Sequence, residues 1–188
     1  MSVNLILHQL LSAQVEINMT HPDMHPNAHK LSLFTGSWAG TGEVFPNPWG
    51  PAGTCEGRWH FGFDNCGFNL IHDYHESRSS GFSFDAHGIF NIAPDTKEVI
   101  WFWFDSFGYP PLNPARGDWD TNQLILIKKT PRGLGRSTFI FDHKKFEYIV
   151  EKQLNGENNF STVMRGEFEK VISGVERKNR FAKNMTEF

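Results

Sequence analysis

Residues 82–105 read FSFDAHGIFNIAPDTKEVIWFWFD, and this stretch decides the fold. Two apolar runs flank Pro94, Asp95, Thr96 and Lys97, residue types suited to a tight turn. Folding back around that turn sets Ile92 against Val99, Phe90 against Trp101, Gly88 against Trp103 and Ala86 against Asp105. Small residues then oppose two indoles, and a carboxylate shares their face. That face, with Phe82 and Phe84, is predicted to be an interior. It is either a packed core with Asp105 at a wet rim, or an aromatic pocket with Asp105 as its polar handle. The opposite face carries Ile100, Phe102 and Phe104, too apolar for open water, and predicts a cover from an N-terminal helix or a second copy in a homodimer.

The same grammar extends in both directions. Short alternating segments at about 37–45, 55–63, 68–77, 82–92, 98–106, 115–120, 123–129, 136–142, 146–154 and 158–169 are separated by Gly, Pro, Asn or Asp. Sequential strands with few helices predict an all-β, antiparallel up-and-down barrel of about ten strands, because closure removes the exposed edges of an open sheet. A barrel of eight or more strands has room for a small ligand. Asn27 is read as the cap of a short helix over 28–34 that closes one end. Two longer Pro-rich connections, 46–54 with Trp49 and 108–114 with Tyr109, read either as lids at the mouth or as exposed linkers. The organisation is therefore an N-terminal helix and linker (1–30), a barrel (31–171) and a polar tail (172–188).

Composition sets the outer limits. With 14% aromatic residues in 188, the chain holds too much ring surface to stay unfolded. A net charge of −3 gives no electrostatic reason to bind nucleic acid or an anionic membrane. No run reaches the roughly 18–20 apolar residues of a membrane span. The apolar residues at 3, 6, 7, 10 and 11 follow helical spacing, and no basic residue precedes them as in a signal peptide. Cys55 and Cys66 stand too far apart to bridge if the chain between them is extended, so both are predicted reduced, as in a cytoplasm.

The stretch from Leu31 to Val44, LSLFTGSWAGTGEV, resembles the opening of calycin-type (lipocalin-like) barrels, where a short helix leads into Gly-x-Trp on the first strand. The longer pattern Gly36-x-Trp38-x-Gly40-x-Gly42, together with Trp103-Phe104-Asp105-Ser106-Phe107-Gly108, is similar to the nitrobindin-like and DUF1579 branch. The likeness covers about three quarters of the chain and implies fold rather than activity, since DUF1579 has no general assigned function. In calycins an arginine of the last strand stacks on that Trp, which implies a Trp38–Arg165 cation–π contact closing the barrel. Nitrobindins hold haem through a histidine near the barrel end. This chain has no His after His143, so no haem and no other cofactor is expected.

Chemistry then rests on scattered groups. His21, His25 and His29 recur every four residues, but Pro22 and Pro26 break the helix that would align them. His60 and His72 fall nearly opposite each other across the turn at 64–67, and with Asp73 or Glu76 could hold a metal. The spacings of dedicated zinc sites are absent, so no metal is expected. Arg58 and His60 alternate with Trp59 and Phe61. Facing inward they would offer a cation and a titratable group near Asp105; facing outward they are ordinary surface. Two functions follow. One is binding of a small, largely apolar molecule by Arg58, Tyr74, Phe84, Trp101, Trp103 and Trp119. The other is an isomerase- or cyclase-type enzyme with Asp105, His60 and His72 moving protons on a hydrophobic substrate. A filled, purely structural dimer is the third alternative.

Overall fold

The computed structural model describes residues 26–48 and 50–171. The helix expected over 3–17, the histidines at 21 and 25, Trp49 and the tail from 172 onward lie outside them. A five-residue helix α1 (Pro26–Lys30) and a 3-10 turn (Leu31–Phe34) precede ten strands. These are β1 (Gly36–Val44), β2 (Gly53–Asp64), β3 (Asn69–Arg78), β4 (Ser83–Ile92), β5 (Val99–Asp105), β6 (Ala115–Asp120), β7 (Gln123–Thr130), β8 (Gly133–Asp142), β9 (Lys145–Leu154) and β10 (Ser161–Lys170). Each pairs antiparallel with its sequence neighbour, and β1 returns to β10, so the sheet is a closed up-and-down barrel. The β4–β5 register sets Phe90 against Trp101, Gly88 against Trp103 and Ala86 against Asp105, the pairing that the turn at 94–97 predicts.

Period-two alternation sends Trp38, Trp59, Phe61, Phe90, Trp101, Phe139, Phe146 and Phe168 inward, all nearly or fully buried. The 3-10 turn seals one end. Its Phe34 is fully buried, stacks near Phe90 at 5.3 Å and meets Phe139 and Phe141 edge-on at 5.0 and 4.8 Å. Asn27 does not cap this segment. The helix starts two residues earlier than expected, at Pro26, and the Asn27 amide donates to the Lys97 carbonyl and to Asp118. On the outer face Phe102 and Phe104 are exposed.

The expected Trp38–Arg165 contact does not form. Strand β10 runs to Lys170, so Lys170 is the residue opposite Trp38, and Arg165 lies opposite Glu43, about 17 Å along the strand at ~3.4 Å per residue. Lys170 places its ammonium 5.4 Å from the Trp38 ring, the indole N–H donates to the Phe34 carbonyl at 2.5 Å, and Arg165 points outward to Glu147.

The space opposite Trp103 at Gly88 is also taken. A Cβ on Gly88 would lie 2.2 Å from His72 Nε2, so the missing side chain is what admits the imidazole to the core. We expect Gly88→Ala to lower stability by about 1–3 kcal/mol through overpacking, and Arg165→Ala to leave the urea midpoint unchanged. Equilibrium unfolding of the two variants checks both.

Candidate functional site

At the end opposite Phe34 the packed rings give way to a cavity of about 250 Å³ inside the barrel. Its apolar wall comes from Phe84, Trp101, Trp103, Leu126, Val150 and Met164. The inward positions of β3 that follow one another toward the mouth are Tyr74, Glu76 and Arg78. The Tyr74 hydroxyl donates to Glu76 Oε2 at 2.7 Å and Arg78 Nε donates to Glu76 Oε1 at 2.6 Å. Glu76 is 3% exposed, and both its oxygens are satisfied, which is how a carboxylate is tolerated at that depth. Burial, and then Glu76, hold the Tyr74 hydroxyl well above its ordinary range; burial does the same to Tyr148 on the opposite wall.

A second cavity of about 540 Å³ lies outside the first and shares Lys128, Gly135 and Val150 with it. The long connection between β5 and β6 contributes Phe107, Tyr109, Pro110 and Leu112, and the β7–β8 turn faces them. Sheet geometry makes this opening. Strands β5 and β6 pair over Val99–Gly117, Ile100–Arg116 and Trp101–Ala115, whereas β5 continues to Asp105. The connection at 108–114 is thus set at the mouth, although Tyr109 and Leu112 remain exposed.

Of the expected residues, the inner cavity brings together Tyr74, Phe84, Trp101 and Trp103. Asp105 lies at the rim and lines the outer cavity. It accepts from Trp103 Nε1 at 2.9 Å and from the Phe107 amide at 3.0 Å. Arg58 and His60 do not reach either space. Trp59 and Phe61 take the inward positions of β2, so both polar side chains face outward, exposed, and His60 Nδ1 meets Ser37 Oγ at 3.0 Å. Trp119 faces inward but at the sealed end, 6.2 Å from Phe34 and 5.9 Å from Phe141.

His72 also points inward, opposite Phe61, one residue from the expected register with His60. It sits beneath the cavity, among Trp59, Phe61, Phe90, Trp101 and Trp103. An indole N–H can only donate, so the 2.8 Å bond from Trp101 Nε1 makes His72 Nε2 the acceptor and puts the ring proton on Nδ1. Nδ1 has no hydrogen-bond partner. Burial, helped by His87, drives the His72 pKa down to about 3, so the ring is neutral and is a core group rather than a proton shuttle.

No described histidine lines either of these two cavities, so their lining does not fit a histidine-ligated haem; His60, His75 and His87 border a separate, open hollow on the outer face together with Arg58, Asp73 and Asp85. Among the described residues no three His, Cys, Asp or Glu side chains are grouped to hold a metal ion. Arg78, Lys128, Tyr148 and Lys152 also line the two cavities, although polar residues alternating with apolar ones have the pattern of a solvated face. The signal that could have found them is parity: each lies an even number of residues from a buried inward aromatic or leucine.

No family model matches the chain, and no curated protein matches it. Solved structures do. Rv2717c from M. tuberculosis is 14% identical, with a TM-score of 0.59, covering 80% of this chain and all of that one. The S-type phycobiliprotein lyase CPES from Guillardia theta is 7% identical, with a TM-score of 0.59, covering 77% of this chain and 92% of that one. At these identities the likeness is one of fold: a calycin-like, lipocalin-like ten-strand barrel.

His72 has an acid signature. A ring whose pKa is about 3 when folded and 6.5 when unfolded is neutral in the folded protein between these values, where the unfolded chain takes up the extra proton. Its contribution is complete above pH 6.5 and is lost as pH falls toward 3, by at most about 5 kcal/mol. We expect His72→Gln, whose amide oxygen can still accept from Trp101, to flatten the fall in urea-unfolding free energy between pH 6.5 and 4.

Proposed function

We propose that this protein binds a small, largely apolar molecule inside the barrel. The observation that carries the reading is the inner cavity itself. In a barrel otherwise packed with rings, a space of about 250 Å³ persists between Phe84, Trp101, Trp103 and Met164, and it continues into an outer space under the 106–114 connection. An aromatic wall with a few placed polar groups is the usual make-up of a small-molecule site. Acid–base catalysis is the weaker reading. His60 is outside the barrel, His72 is buried below the cavity, and Glu76 and Asp105 already accept two hydrogen bonds each. Within calycin-like barrels, the Gly-x-Trp-x-Gly-x-Gly pattern from Gly36 to Gly42 and the segment from Trp103 to Gly108 support placing the chain nearest the DUF1579 and nitrobindin-like branch.

The test uses a neutral apolar fluorophore, N-phenyl-1-naphthylamine, which brightens on leaving water. We expect saturable one-to-one binding with quenching of tryptophan emission, and at least a ten-fold loss of affinity in Val150→Trp, which fills the junction of the two spaces. Absence of binding to the folded wild-type protein, with no ligand retained in native mass spectra of freshly purified material, overturns the reading.

A further inference from the structure

Strands β7, β8 and β9 lie side by side, and their register sets Lys128, Gly135 and Lys152 in one row. All three have the inward parity of Leu126, Phe139 and Tyr148 and line the outer cavity; Lys128 and Gly135 line the inner one as well. Two lysines therefore flank a residue with no side chain. Neighbouring strands are about 4.8 Å apart, so their Cα atoms are separated by about 10 Å. A Cβ added to Gly135 would meet nothing nearer than 3.9 Å, so the notch between the two stems is open.

The carboxylates at this end are already engaged, Glu151 by Arg136, while Lys129 and Arg132 add positive charge at the border of the outer cavity. Glu76 is paired with Arg78, and Asp105 accepts two N–H groups. Neither Lys128 nor Lys152 has a carboxylate of the described residues within 4.0 Å. Lys128 is half-buried; its loss of water lowers its pKa, with Asp105 alone pulling the other way. With Asp105 acting on Lys128 only from beyond 4.0 Å, the two lysines leave room on one face of the sheet for an anion between them.

Resting on the binding function proposed above, we infer that the ligand is an amphipathic carboxylate, its acid group held in the Lys128–Gly135–Lys152 notch and its apolar body in the aromatic cavity behind. The notch sits where the two spaces join, so a molecule lying in the inner cavity presents one end there. Ammonium groups on two sides suit the two oxygens of a carboxylate.

The experiment compares decanoate with decan-1-ol as displacers of N-phenyl-1-naphthylamine at pH 7.5 and low ionic strength. Decanoate should be stronger by about ten-fold or more, the scale of charge-assisted hydrogen bonding. Lys128→Met with Lys152→Met should bring decanoate down to the level of decan-1-ol. Gly135→Asp, which sets a carboxylate of the chain's own in the notch, should do the same and raise the thermal midpoint, so a double variant that fails to fold does not remove the test. Equal potency of the two displacers on the wild type, or an unchanged preference in Gly135→Asp, overturns the inference and leaves apolar binding standing. If neither the fluorophore nor either displacer binds, the binding function falls and the inference falls with it.

Discussion

Everything inside this molecule depends on β1 lying flat against β10. That seam turns a ten-strand meander into a barrel and converts one face of every strand into an interior. The approach is closest at Gly40, where an added Cβ would come within 1.9 Å of the Glu167 carbonyl oxygen, so that position admits no side chain. The glycines after Trp38 thus serve close contact between β1 and β10. The indole is held separately, by the Phe34 carbonyl at its N–H and by the Phe146 ring at 4.9 Å.

The interior divides into two regimes. Toward Phe34 it is a solid of rings, where Trp101 stacks on Phe90 within 3° of parallel and Phe139 stacks on Tyr148 at 4.6 Å. Toward the mouth the inward positions become Glu76, Arg78, Lys128 and Lys152, groups too polar and too long to pack as rings do. The boundary passes through His72 and Trp101, whose shared hydrogen bond lets a neutral imidazole act as a core residue.

Much of this was legible in the chain. The β4–β5 register follows from alternation and a four-residue turn, both local signals, and so does the succession of hairpins. The expectation for Trp38 went astray for a reason that is not local. The partner of Trp38 depends on the β1–β10 register and on how far β10 extends, to Lys170, neither of which leaves a mark in composition. Arg58 and His60 are placed outside by parity, because Trp59 and Phe61 between them occupy the core. The Lys128–Gly135–Lys152 row was invisible for a different reason. It is assembled from three strands, and no single segment contains its pattern.

The brief pairing of β5 with β6 gives the barrel a hinge line. Beyond Trp101 the β5 backbone has no β6 ladder on that side, and the chain leaves the wall to form the 106–114 connection. Local opening proceeds where the fewest cross-strand bonds must break. Residues 107–114, which belong to neither ladder, can therefore swing away while β5 stays paired with β4 through Asp105 and the plug at Phe34 stays closed. The residence time of anything inside is then set by the opening frequency of this one panel rather than by the global stability of the barrel, and the two can be tuned by substitutions at separate places.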